Sequence, residues 1–150
     1  MSILVRQAST PDRDRIVLFN RAMARETEGR ELDRRTVTRG VEAVLGDPAL
    51  GRYFVAEKGE AIVGQVMVTT EWSDWRNGPV WWIQSVYVSK QHRRQGIYRR
   101  LHEHVRSTAR REKVIGLRLY VERDNGPAQA TYRSLGMDSS QYLLFEEMWA

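Results

Sequence analysis

Apolar and polar positions change their spacing several times along the chain, and each change marks an expected element. Residues 3–7 alternate, with Ile3 and Val5 apolar, which predicts a strand, and Ser9-Thr10-Pro11-Asp12 reads as a helix start with proline in its first turn. Ile16, Phe19 and Met23 carry that helix to about Gly29, and Val37, Val41 and Val44 predict a second one over Asp33–Leu45. Two apolar runs, Tyr53–Ala56 and Ala61–Val68, flank the turn Lys58-Gly59-Glu60 and read as a hairpin. A polar segment with two tryptophans, Glu71 to Gly78, precedes a β-rich run from Val80 to Val88.

From Gly96 to about Glu112 the spacing returns to a helical one: Ile97, Leu101, Val105 and Ala109 recur every four positions on a segment otherwise covered in Arg and His. A strand over Ile115–Val121, a helix from Pro127 to Leu135 stopped by Gly136, and a last strand within Gln141–Trp149 complete the pattern. The order is β-α-α-β-β-β-α-β-α-β. Central hairpins with a β-α-β unit near the end predict an α/β fold in which a central mixed β-sheet is flanked by helices on both faces.

Composition narrows the class. A chain of 150 residues with 41% hydrophobic and 29% charged positions suits one globular domain, 1–150. It has no cysteine, which removes thiolate nucleophiles and Cys-based metal sites and suggests a reducing cytoplasm. The N-terminus becomes charged before an apolar leader can build, and no run approaches membrane-spanning length, so a soluble cytoplasmic protein is expected. His92, His102 and His104 cluster in sequence, but His102 and His104 point apart on a helix, so no metal site is expected.

Charge changes the picture more. The net charge is +5, and Lys90–Arg111 holds Lys90, Arg93, Arg94, Arg99, Arg100, Arg106, Arg110 and Arg111 against the single acid Glu103. An anionic partner is implied, and this run is where it would bind. Neither a G-x-G-x-x-G nor a P-loop pattern occurs. Instead Gln91–Arg100 puts Gly96 and several arginines between a strand and a helix N-terminus, where backbone N–H groups and the dipole favour phosphate.

The segment I-Q-S-V-Y-V-S-K-Q-H-R-R-Q-G-I-Y resembles motif A of the GNAT superfamily of acyl-CoA-dependent N-acyltransferases, with Arg93 and Gly96 in the first and central positions of [RQ]-x-x-G-x-[GA]. Asn125, Ala128, Tyr132, Gly136 and Met137 match the superfamily's motif B, N-x-x-A-x-x-x-Y-x-x-x-G-[FM]. Tyr98 stands where motif A ends in Gly or Ala; its ring could turn outward, stack near the adenine or shift the helix. The resemblance implies acetyl-CoA as cofactor. It also implies binding along Val86, Tyr87 and Val88, at Arg93, Arg94, Gln95, Gly96, Ile97, Tyr98 and Arg99, and at Asn125, Ala128 and Tyr132. Tyr132 would protonate the departing CoA thiolate.

Direct transfer to an amine needs a proton acceptor. Many relatives carry a carboxylate on the strand before motif A, whereas this chain has Gln84 and Ser85, so Glu71 and Asp74 become the acidic candidates, with Gln84 and Ser85 holding a relay water. Trp72, Trp75, Trp81 and Trp82 surround those acids in sequence. Glu71, Trp72, Asp74, Trp75 and Trp82 therefore predict a pocket for a cationic amine, through ion-pair and cation–π contacts. The reading is an N-acetyltransferase acting by direct transfer in a ternary complex, on a small-molecule or peptide primary amine, with no membrane or nucleic-acid partner. The alternatives are a basic nucleic-acid-binding module and a CoA-binding protein of this fold without turnover. The apolar stretch Tyr142–Phe145 leaves a homodimer open.

Overall fold

The computed structural model describes residues 2–150. They fall into two compact units, one running through Tyr120 and the other Val121–Ala150.

In the first unit, alternation and helical spacing become β1 (Ile3–Gln7), α1 (Arg13–Glu28), α2 (Arg34–Gly46), β2 (Arg52–Lys58), β3 (Ala61–Ser73), β4 (Gly78–Val88), α3 (Ile97–Arg111) and β5 (Gly116–Leu119). The strands form one sheet in chain order. Its first three pairings are antiparallel and β4–β5 is parallel, as the intervening α3 crossover requires. Asp33 starts α2 by accepting from the Thr36 backbone N–H at 2.9 Å.

Alternation along the strands divides the apolar side chains between two cores. Phe54, Val66, Val68, Trp81 and Ile83 meet Ile97, Leu101, Val105 and Ala109 of α3 on one face. Tyr53, Val55 and Tyr87 meet Ile16, Val17 and Phe19 of α1 and Val41 of α2 on the other. The expected mixed sheet with helices on both faces is therefore present. The backbone of β3 comes so close to α3 that a Cβ added to Gly64 would lie 3.1 Å from Ile97 Cγ2, which pins the start of α3 against the sheet.

The hairpin β3–β4 is longer than its polarity suggests. Glu71, Trp72 and Ser73 continue β3 because Val80, Pro79 and Gly78 supply a ladder opposite them, leaving a short turn at 74–77.

The second unit holds α4 (Gly126–Ser134). The strand expected within Gln141–Trp149 does not form. A strand needs a ladder partner for its backbone groups, and no other extended segment of this unit provides one among the described residues.

Candidate functional site

The site begins with a break in β4. Met67 of β3 lies opposite Gln84 and Gln65 lies opposite Tyr87, so Ser85 and Val86 together face Val66 alone, which is a β-bulge. Ser85 takes a positive φ of 51°, an uncommon conformation for a side chain other than glycine's. The extra residue shifts the alternation: Trp81 and Ile83 face α3 before the bulge, and Val86 and Val88 do so after it, while Tyr87 turns to α1. Pairing with β5 ends at Ile83 opposite Leu119, so residues 84–88 have no ladder partner on that side among the described residues.

A buried polar chain holds the bulge from the α1 face. Gln65, fully buried, donates through Nε2 to the Ser85 carbonyl at 3.0 Å and to Asn20 Oδ1 at 2.8 Å. Asn20 Nδ2 in turn donates to the Tyr53 hydroxyl at 3.1 Å, and burial pushes the Tyr53 phenol up. The amide nitrogen of Gln65 is thus committed to two acceptors that would otherwise be stranded in a dry interior.

The loop after β4 is fixed by a residue the sequence did not single out. Glu26 of α1 accepts from the Tyr87 hydroxyl and from Arg93 Nη2, the latter at 2.7 Å. Burial would raise its carboxyl, but the bonds from Tyr87 and Arg93 outweigh burial and hold it below the usual carboxylate range. Arg93 also donates through Nε to the Val88 carbonyl at 2.9 Å and lies over the Tyr87 ring. The first residue of the motif therefore ties the loop to α1 and β4 with its side chain. Glu26 has no sequence signal, because a lone acid on the polar side of a helix looks like solvated surface.

Beyond Arg93 the backbone is left-handed at Arg94 (φ 62°) and again at Gly96 (φ 75°), the N-cap of α3. A Cβ on Gly96 would meet nothing within 4 Å, so glycine is needed there for its φ. The glycine offers no capping side chain, so the first-turn N–H groups of α3 face outward from the helix end with the positive dipole. Gln95 is held by Lys58 and by the Gln91 carbonyl. Arg94 and Arg99 are ion-paired to no acid among the described residues.

Tyr98, in the first turn of α3, packs partly buried against the core that α3 shares with the sheet. Its hydroxyl is 3.1 Å from His102 Nδ1, and Arg106 Nη2 is 3.2 Å from His102 Nε2. Arginine can only donate, so Nε2 accepts and a neutral imidazole donates from Nδ1 to Tyr98. Burial, reinforced by the Arg106 charge, lowers the His102 pKa to about 4 and keeps the ring neutral.

A second polar cluster occupies the far end of β3 and β4. Glu71 Oε1 accepts from Trp82 Nε1 at 2.6 Å and from Arg118 Nη1 of β5 at 3.1 Å, while Trp82 stacks on Tyr120 with ring centres 4.7 Å apart. Gln84 donates to Thr69 Oγ1 at 2.6 Å on the same face. The structure thus joins Glu71 to Trp82 but divides the rest of the expected group. Strand alternation puts Trp72 on the face opposite Glu71, and Asp74 and Trp75 belong to the exposed turn.

In the second unit Asn125 caps α4, accepting from the Ala128 N–H at 3.2 Å. Gln129 Nε2 binds the Glu122 and Arg123 carbonyls, both at 2.9 Å, which secures the entry to the helix. Burial raises the Tyr132 phenol, so it remains a proton donor at neutral pH. No helix among the described residues is long and apolar enough to cross a membrane.

Comparison with known proteins agrees with this geometry. Residues 15–137 match the model of the Acetyltransferase (GNAT) family. The chain is 44% identical to a solved "possible acetyltransferase" from Clostridium difficile 630, with a TM-score of 0.92 over 100% of this chain and 99% of that one. A "predicted acetyltransferase with acetyl-CoA" from Clostridium acetobutylicum shares the fold at 18% identity and a TM-score of 0.79, covering 97% and 96% of the two chains. A ribosomal-protein-alanine N-acetyltransferase from Brucella melitensis biovar Abortus 2308 shares it at 15% identity and 0.81, covering 99% and 100%. No curated protein matches the chain in sequence.

Proposed function

The chain belongs to the acetyltransferase (GNAT) family and is an acyltransferase; from that premise we propose that it transfers the acetyl group of acetyl-CoA directly to a primary amine, on a small molecule or a peptide. One observation carries the reading. Past the Ser85 bulge, β4 has no ladder partner on the β5 side among the described residues, and it leads within a few residues to a helix N-terminus opened by left-handed Arg94 and Gly96.

The donor set suits CoA. Outward backbone N–H groups, Gly96 in the conformation that aims them, and Arg94 and Arg99 without acidic partners form a phosphate-binding arrangement. The amides of residues 94–99 would hold the pyrophosphate, and the main chain of Val86, Tyr87 and Val88 the pantetheine arm, as an added strand would be held. When bound, acetyl-CoA supplies an acetyl group activated as a thioester. The backbone N–H groups of this run polarise the acyl carbonyl, and their alignment depends on the Gln65 chain beneath the bulge. Asn125 and Ala128 shape the start of α4, from which Tyr132 donates the proton that the leaving sulfur needs.

On the acceptor side, Glu71 is held by Trp82 and Arg118, so it acts as a fixed negative charge toward an ammonium group and as the acceptor of its proton, with Gln84 bridging through water. A lysine-like amine has a pKa near about 10.4, so such an acceptor is required at neutral pH. Trp72, Asp74 and Trp75 belong to a more peripheral part of the acceptor surface in this reading. The cytoplasm is the proposed setting.

The test is a thiol-release assay with acetyl-CoA against an amine library, coupled to thermal denaturation. Acetyl-CoA at about a hundred times its Kd stabilises the fold by roughly 2.7 kcal/mol, and Gly96→Val abolishes that gain. Tyr132→Phe lowers kcat about a hundredfold to ten-thousandfold with little change in CoA affinity. A chain that ignores CoA and binds nucleic acid with a steep salt dependence overturns the proposal.

A further inference from the structure

The hydrogen-bonding capacity around Glu71 is only half used. Trp81 and Ile83 pack on α3, so alternation puts Trp82 on the opposite face of the sheet, with Arg118 beside it in register on β5. There Glu71 Oε1 accepts from Trp82 Nε1 at 2.6 Å and from Arg118 Nη1 at 3.1 Å. Both bonds fall on one carboxylate oxygen. Among the described residues, Glu71 Oε2 and the Nε–Nη2 edge of Arg118 take part in no hydrogen bond. All three residues belong to the first unit.

Stability alone gives little reason for such a pair. The Arg118 and Glu71 side chains are 33% and 43% exposed, and an ion pair so open to water contributes little. Yet the pair is held stiffly. Trp82 stacks on Tyr120 with ring centres 4.7 Å apart, its ring lies 5.9 Å from the Arg118 guanidinium carbon, and its Nε1 fixes the carboxylate. Preorganised opposite charges with free edges suit a ligand that carries both charges itself.

The spacing of the pair says which ligand. A free α-amino acid bears its ammonium and its carboxylate on a single carbon, so its two charges stand as close together as those of Glu71 and Arg118. Laid head to tail on the pair, its ammonium meets Glu71 Oε2 and its carboxylate meets the Nε–Nη2 edge, which matches a carboxylate through two parallel bonds. Other amines fit worse. A polyamine brings a second positive charge toward Arg118, and a peptide N-terminus has a neutral amide where the carboxylate would be.

We propose that the acceptor is a free α-amino acid, its ammonium on Glu71 and its carboxylate on Arg118. This inference rests on the acetyl-transfer reading and names the acceptor class for it. The ammonium gives one proton to Glu71 and on to water. The amine then attacks the thioester carbon, a C–N bond forms as the C–S bond breaks, and the second nitrogen proton offsets the one taken up by the sulfur. The product keeps its carboxylate and loses the positive charge that Glu71 holds.

The test compares each amino acid with its α-amide and its decarboxylated amine in the thiol-release assay. The α-amide is less basic than the amino acid, so more of it is neutral at a given pH and chemistry alone favours it. The amino acid should nonetheless show a kcat/KM about thirtyfold higher. Arg118→Met also loosens Glu71, so all rates fall, but the ratio of acid to amide should collapse toward one; Arg118→Lys, which keeps the charge and loses the fork, should retain part of it. Apart from turnover, the acid should raise the melting temperature of the CoA complex more than the amide does. Amides or amines used as well as the acids, a ratio that survives Arg118→Met, or equal stabilisation by acid and amide would each overturn this assignment and leave acetyl transfer standing. Failure to acetylate any amine would overturn both.

Discussion

Two polar clusters sit on the same hairpin, on the same face of the sheet, and do opposite things. At the bulge, Gln65, Asn20 and Tyr53 are buried and bonded in a chain that ends on a backbone defect, the carbonyl of Ser85. At the other end, Glu71, Trp82 and Arg118 remain partly open to water and are joined to one another by side-chain hydrogen bonds on Glu71. The buried cluster fixes main chain, where a stranded acceptor costs a full desolvation penalty. The open cluster fixes side chains, where water can replace a lost partner. Shape at the reacting centre should therefore depend on the first, and acceptor affinity on the second.

The sharpest way to break that division is Gln65→Leu. It strands Asn20 Oδ1 and the Ser85 carbonyl together, at about 1–3 kcal/mol each, and lets the bulge relax. Tm should fall by several degrees and kcat by about a hundredfold, with a smaller change in the acceptor KM; a variant with normal kcat would show that the bulge holds itself. A buried group that titrates sharpens the comparison at intermediate size. The His102 pKa is lowered to about 4 by burial and the nearby Arg106, whereas the unfolded ring titrates near about 6.5. The unfolded state therefore binds the extra proton first, so this stability is intact above about 6.5 and is lost as pH falls toward 4. Denaturant titrations at pH 7 and pH 5 should differ for the native chain, and His102→Gln should narrow the gap; an unchanged gap would point to other groups. The smallest stability effect belongs to the open cluster. Glu71→Gln should change stability by no more than about 1 kcal/mol yet raise the acceptor KM about tenfold and slow transfer at neutral pH. Equal losses of Tm in Gln65→Leu and Glu71→Gln would erase the distinction.

Much of the frame was legible because it rests on local periodicity. Ile97, Leu101, Val105 and Ala109 can only be one face of a helix, and Gly96 before them marks the turn into it. The bulge was hidden because its left-handed residue is a serine, and its cause lies in Gln65 and Asn20, distant in sequence and polar in a core that apolar patterns describe. Glu26 was invisible for a related reason, since its two partners arrive from β4 and the loop beyond it. The acidic and aromatic residues 71–75 read as one cluster along the chain, but a period of two sends neighbours to opposite faces. The missing final strand shows that apolar β-rich composition states a need for a partner without supplying one.

The bulge also divides β4 into two frames, much as a spliced message is read in two phases. Trp81 and Ile83 are inward to α3 in one frame, Val86 and Val88 in the other. Deleting Ser85 would merge the frames and rotate everything downstream by half a turn. Tyr87 would then leave Phe19 and Glu26 for the α3 side, and Arg93 would lose the ring and the carboxylate that anchor the loop. One inserted residue thus sets which face each side chain takes through the whole passage from β4 to the loop before α3, and a designer grafting this segment onto another sheet would have to carry over that phase change along with the glycine.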